Sequence, residues 1–176
     1  MLQVKTLGPG QISINEIPVP DPGLYQVLLK VMRFGICGSD IHLYHGRHKY
    51  VTFPLVQGHE GSGVIAKIGK RVSGFQVGDR VVVRPLMSCG KCRQCLEGRY
   101  NLCEDYKVIG VLGGTTGMAA EYFLCEASIL HKMPDNMSFG QGALVEPAAV
   151  GVHAIALGWM EERLKRSLRS LFWYMA

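Results

Sequence analysis

Four cysteines, Cys89, Cys92, Cys95 and Cys103, are separated by two, two and seven residues. No other feature restricts so tightly how the chain can fold. Thiols this crowded must cross-link, hide in a core or hold a metal. Zinc takes four thiolates in a tetrahedron, with Zn–S about 2.3 Å. A Cys-x-x-Cys turn aims two sulfurs at one center, and Gly90 and Gly98 give the loop the backbone freedom such turns need. Lys91, Arg93 and Arg99 are expected to offset part of the thiolate charge. Disulfides or buried thiols are the competing reading, and a reducing compartment disfavors the disulfides. Iron–sulfur ligation also uses clustered cysteines, and spacing alone leaves it open. If the metal is zinc, a closed four-thiolate site has no free position and is structural, not catalytic.

The compartment expected is the cytoplasm. Met1-Leu2-Gln3-Val4-Lys5 lacks a basic segment followed by an apolar one. No stretch reaches the roughly 18 apolar residues of a membrane span. The formal net charge is +5, but the basic residues are scattered through turns, as at Lys67, Lys70, Arg71 and Arg80. Local clusters occur at Lys91–Arg99 and Arg163–Arg169. A nucleic-acid binder gathers such residues into a patch or stripe. We therefore read this as solubility charge, with no nucleic-acid and no membrane partner. Hydrophobic content of 48% against 19% charged argues for a packed core over disorder.

Short apolar runs separated by turn residues imply a mainly β barrel or sandwich with some α. Gln11–Ile17, Gln26–Val31, Gly61–Gly69, Arg80–Arg84, Glu121–Leu124 and Ile129–Lys132 read as strands. Helices are expected later, one capped by Ser138 and one running on from Pro147.

A second set of metal-ligating types is spread along the chain. It comprises Cys37, the His59-Glu60 pair and Glu146. One Cys, one His and a carboxylate can hold zinc with one position open for substrate. An open zinc lowers the pKa of a bound alcohol, which hydride removal requires. Each residue alone also has an ordinary reading: a core cysteine, a hydrogen-bonded histidine, a loop carboxylate.

Together these stretches resemble the zinc-dependent medium-chain alcohol/polyol dehydrogenases, a family that includes the sorbitol and threonine dehydrogenases. The resemblance rests on Gly35-Ile36-Cys37-Gly38-Ser39-Asp40-Ile41-His42, Gly58-His59-Glu60-Gly61-Ser62-Gly63-Val64, Val77-Gly78-Asp79-Arg80-Val81, the cysteine lobe and Leu144-Val145-Glu146-Pro147. It runs from about residue 1 to 158. It implies a GroES-like β-barrel catalytic domain over 1–158, with a structural zinc lobe at about 86–106. It implies two zinc ions: a catalytic one at Cys37 and His59, with Glu60 or Glu146 as the carboxylate, and a structural one in the lobe. It implies that Ser39 takes the substrate proton, that His42 passes it outward and that Asp40 orients the ligating histidine. Glu146 stands where common alcohol dehydrogenases carry Cys. That favors a secondary alcohol of a polyol, sugar acid or amino alcohol as the small-molecule substrate, with hydride going to NAD or NADP. Family members also associate, so a homo-oligomer is compatible.

The family continues into a nucleotide-binding Rossmann domain with a Gly-x-Gly-x-x-Gly turn. The 176 residues contain no such turn, and Gly110–Thr115 is read as a loop. The segment 159–176 departs from the family. It is read as an atypical basic tail that a truncation or frameshift put in place of the true continuation, so the chain is expected to be silent alone. Two other readings stand beside the enzyme: a non-enzymatic zinc-binding domain, and a tail helix lying on a membrane or partner.

Overall fold

The computed structural model describes residues 1–158. The readings of segment 159–176 fall outside the described residues. In chain order the elements are β1 (Leu2–Gly8), β2 (Gln11–Glu16), β3 (Gln26–Gly35), α1 (Gly38–Tyr44), β4 (Glu60–Ile68), β5 (Arg80–Val83) and β6 (Leu86–Met87). Then come α2 (Arg93–Leu96), β7 (Lys107–Val108), β8 (Tyr122–Glu126), β9 (Leu130–Lys132), α3 (Phe139–Ala143) and α4 (Val145–Gly158). The chain is mainly β with a few helices. Gly110–Thr115 forms turns, a single bridge and bends, and no helix follows it.

Five strands make one antiparallel sheet in the order β8-β3-β4-β5-β9. Its core is built from alternate side chains: Val27 and Leu29 of β3, Ile65 of β4, Val81 and Val83 of β5, Phe123 and Cys125 of β8. Completely burying a side chain such as Leu29 contributes about 1.5–3 kcal/mol. Leu28 is buried between them in sequence and lies outside that cluster, so this end of β3 is covered on both faces. The short helix α3 packs over β3, β4 and β5. Its start is fixed by the expected cap, Ser138, whose Oγ accepts the Gln141 N–H at 3.2 Å. The buried Ser62 of β4 donates to the Phe139 carbonyl at 2.6 Å and ties α3 to the sheet. That tie sets where α4, and Glu146 with it, begins.

The stretch 56–58 runs beside 117–119. Gly117, Met118 and Ala119 donate to the carbonyls of Val56, Gly58 and Gln57 at 2.8, 2.8 and 2.9 Å. The edge strand β1 joins the same layer through Val4 N–H to Ala119 O at 2.8 Å. The approach is so close that a Cβ on Gly117 would lie 2.2 Å from the Gln57 oxygen. Gly117→Val is expected to cost about 1–3 kcal/mol through overpacking, read as a lower urea midpoint at unchanged m.

Asp79 closes the turn between β4 and β5. Its Oδ2 accepts from Lys132 Nζ at 2.8 Å and from the Gln76 N–H at 2.9 Å. The Lys132 ammonium, helped by that N–H and opposed by desolvation, holds the carboxyl below its ordinary pKa. A lowered folded-state pKa means stability that is present above the unfolded value of about 3.9 and lost as pH falls through the folded one. Asp79→Asn is therefore expected to be less stable than wild type at neutral pH. The gap should close in acid, as followed by urea denaturation across a pH series.

Candidate metal centres

The first centre is built by strand pairing. β3 and β4 are antiparallel, and Gly35 at the end of β3 pairs with Glu60 at the start of β4. Cys37 follows two residues after one strand, and His59 immediately precedes the other. Pairing two strands thus brings three ligand types to one sheet end. One ligand atom from each of Cys37, His59 and Glu60 lies within 4.8 Å of the others. A Cβ on Gly35 would stand 2.3 Å from Glu60 Oε2, so glycine is what lets the carboxylate occupy that place.

His59 and Glu60 are 6% and 8% exposed, a depth at which polar groups need partners. Yet His59 Nδ1 is buried without a hydrogen-bond partner. A soft thiolate, an imidazole and a carboxylate brought to one place suit a zinc-like cation. Ser39 Oγ, two residues past Cys37, is likewise buried and unpartnered. His42 lies one turn further along α1 and is exposed.

Two of the expected residues are placed differently. The Asp40 carboxylate is committed to the Cys37 N–H, at 2.9 Å from Oδ2, and to Gln57 Nε2, at 3.3 Å from Oδ1. It therefore braces the Cys37 loop and does not bond His59 Nδ1. Glu146, in the first turn of α4, stands outside the compact group. It is still within electrostatic reach. Burial raises its carboxyl pKa, Glu60 adds to the rise and His59 opposes it. Gln57 was not singled out from the sequence. Its signal there was a lone amide after the apolar run Phe53-Pro54-Leu55-Val56.

The second centre is a lobe closed at its base by β6 pairing with β7. Between these strands the four cysteines bring their sulfurs within 4.8 Å of one another, with Cys89 and Cys95 at 3.9 Å. A tetrahedron with Zn–S about 2.3 Å has edges of about 3.8 Å. The space suits one ion and is too small for a multi-iron cluster. Gly90 and Gly98 take positive φ, at +70° and +78°, as the turns require. Backbone N–H groups point at sulfur: Cys89 to Cys103 at 3.2 Å, and Cys92 to Cys89 at 3.4 Å. Such donors favor thiolate. The N–H of Glu104, then that of Cys95, lowers the Cys92 thiol to about 6, while burial drives Cys95 to about 12. Arg93 and Arg99 both pair with Glu97, whose single charge offsets one of the two.

All six cysteines are free thiols. Among the described residues, no helix is long and apolar enough to cross a membrane.

Residues 23–135 match the model of the alcohol dehydrogenase GroES-like domain. Sorbitol dehydrogenase of Bacillus subtilis (strain 168) is 44% identical over 149 residues, covering 83% of this chain and 42% of that protein. The crystal structure of galactitol-1-phosphate dehydrogenase from Escherichia coli superposes with a TM-score of 0.84 at 32% identity, over 89% of this chain and 45% of that one. That of a short chain alcohol dehydrogenase from E. coli CFT073, complexed with NADH, gives 0.84 at 35% identity, over 92% and 47%. The chain thus spans less than half the length of these relatives. The matched residues 23–135 include Cys37, His59, Glu60 and the four cysteines of the lobe, and on that match the chain belongs to the zinc-type alcohol dehydrogenases through its GroES-like domain.

Proposed function

We propose that this chain is the substrate-activating half of a dehydrogenase that oxidizes a secondary alcohol of a polyol, sugar acid or amino alcohol. The observation that carries this reading is the Cys37–His59–Glu60 cluster beside a buried Ser39 hydroxyl with no partner. Cys37, His59 and Glu60 would hold a catalytic zinc, with Glu146 as the nearby charge that joins them or faces them. Cys89, Cys92, Cys95 and Cys103 would hold a structural one. Bound at the first centre, zinc would lower the pKa of the substrate alcohol. Ser39 Oγ accepts the proton that the alcohol gives up as its own hydroxyl proton is released outward. His42, exposed one turn along α1, passes it to water. Asp40 keeps the Cys37 loop in place while this happens.

NAD or NADP would accept the hydride and supply the redox chemistry. On this reading, residues 1–158 supply the alcohol side of the reaction and a separate dinucleotide-binding unit supplies the hydride acceptor. The polyol preference is supported by the sorbitol and galactitol-1-phosphate dehydrogenases, and the cofactor by the NADH complex of the third relative. The compartment this reading requires is a reducing one, such as the cytoplasm, which keeps clustered thiols available for metal.

Elemental analysis of the purified chain tests the metal reading. Two zinc ions per chain are expected in wild type, one in Cys37→Ala and one in Cys103→Ser. One zinc in wild type, unchanged in Cys37→Ala, would sink the catalytic centre and leave a structural zinc-binding domain. Fused to the nucleotide-binding half of the Bacillus subtilis relative, the chain is expected to reduce NAD with a member of a polyol panel. In that fusion Ser39→Ala should lower kcat by about 10²–10⁴-fold, the range for a lost proton-transfer group.

A further inference from the structure

We infer that Gln57 is a positioning residue that locks the two ligand-bearing loops of the first centre to each other and to β1. The inference rests on the metal reading above. Gln57 stands two residues before His59, on the same segment. Its Nε2 donates to the Asp40 carbonyl at 3.0 Å and to Asp40 Oδ1 at 3.3 Å. The other Asp40 oxygen accepts the Cys37 N–H at 2.9 Å. At its far end, Gln57 Oε1 accepts the Thr6 hydroxyl at 2.5 Å. Thr6 is 2% exposed, and its backbone exchanges hydrogen bonds with Leu55 at 2.8 and 2.9 Å.

The result is one connected line from Thr6 through Gln57 and Asp40 to the backbone of Cys37. Both Asp40 oxygens are used, and Asp40 is only 6% exposed. Removing the Gln57 amide leaves a buried carboxylate oxygen and the Asp40 carbonyl each without this donor. The carboxylate can then swing, and the Cys37 N–H it holds moves with it. The β3–β4 ladder brings the Cys37 and His59 segments together, and among the described residues the Gln57–Asp40 hydrogen bonds add a side-chain brace that fixes their spacing. The chemistry needs an amide here. A carboxylate at position 57 would face Asp40 acceptor to acceptor. An apolar side chain would donate nothing.

The test uses the 176-residue chain loaded with cobalt(II) in place of zinc. The two centres separate by spectrum, since one has four thiolates and the other has one. Affinity at each is measured by competition with a chelator. Gln57→Glu and Gln57→Leu are expected to weaken cobalt at the Cys37 centre on the order of 10–100-fold, with the four-cysteine centre unchanged. Thr6→Val should weaken it less, and Thr6→Ser should restore the wild-type value and band positions. Unchanged affinity at the Cys37 centre in Gln57→Glu would overturn the inference. So would equal losses at both centres, which report a general loss of fold. If either Gln57 variant fails to fold, Thr6→Val against Thr6→Ser carries the same decision. Wild type that takes cobalt only in the lobe would overturn the metal reading, and this inference with it, before any variant is made.

Discussion

The antiparallel pairing of β3 with β4 is what the rest of the molecule depends on. Its last rung is Gly35 against Glu60. Without that rung, Cys37 and His59 belong to separate loops with no reason to meet. With it, both emerge from the same end of one ladder. The core side chains on the two strands set the register, since a slip by one residue would expose Leu29 and Ile65. Hydrophobic burial and ligand placement are therefore two consequences of the same alignment.

Much of this could be read from the residues. The strands at Gln26, Gly61, Arg80 and Ile129 showed as apolar runs between turn residues, and the structure places β3, β4, β5 and β9 there within a few positions. Ser138 announced its helix because a hydroxyl three residues before Gln141 makes a reciprocal cap. The four-cysteine lobe was legible because its ligands are local, so spacing alone brought them together.

Other features were hidden for physical reasons. α1 lies just after Cys37, where Gly38 and the β-branched Ile41 mask a seven-residue helix held by its neighbors more than by propensity. The role of Asp40 depends on which of two nearby groups its carboxylate reaches, and that is a matter of tertiary distance. The pairing of Arg93 and Arg99 with Glu97 is similar, since the cysteine spacing does not report which carboxylate the arginines reach. Gln57 is the clearest case. Its partners are Thr6 and Asp40, which stand 51 and 17 positions away. No local pattern reports contacts of that range.

The lobe and the first centre also differ in how far the chain must travel to make them. The sulfurs of the lobe come from one short excursion, sealed by a two-residue ladder between β6 and β7. Loop-closure entropy there is small, and an ion can gather the four thiols in a chain whose sheet has not yet formed. The first centre has no such independence. Its ligands meet only after β3 has found β4 and the 117–119 stretch has docked against Gln57. The lobe thus rests on local chain, and the Cys37, His59 and Glu60 group rests on the sheet. A strain on the sheet therefore reaches the first group directly, and reaches the lobe only through its two-residue ladder.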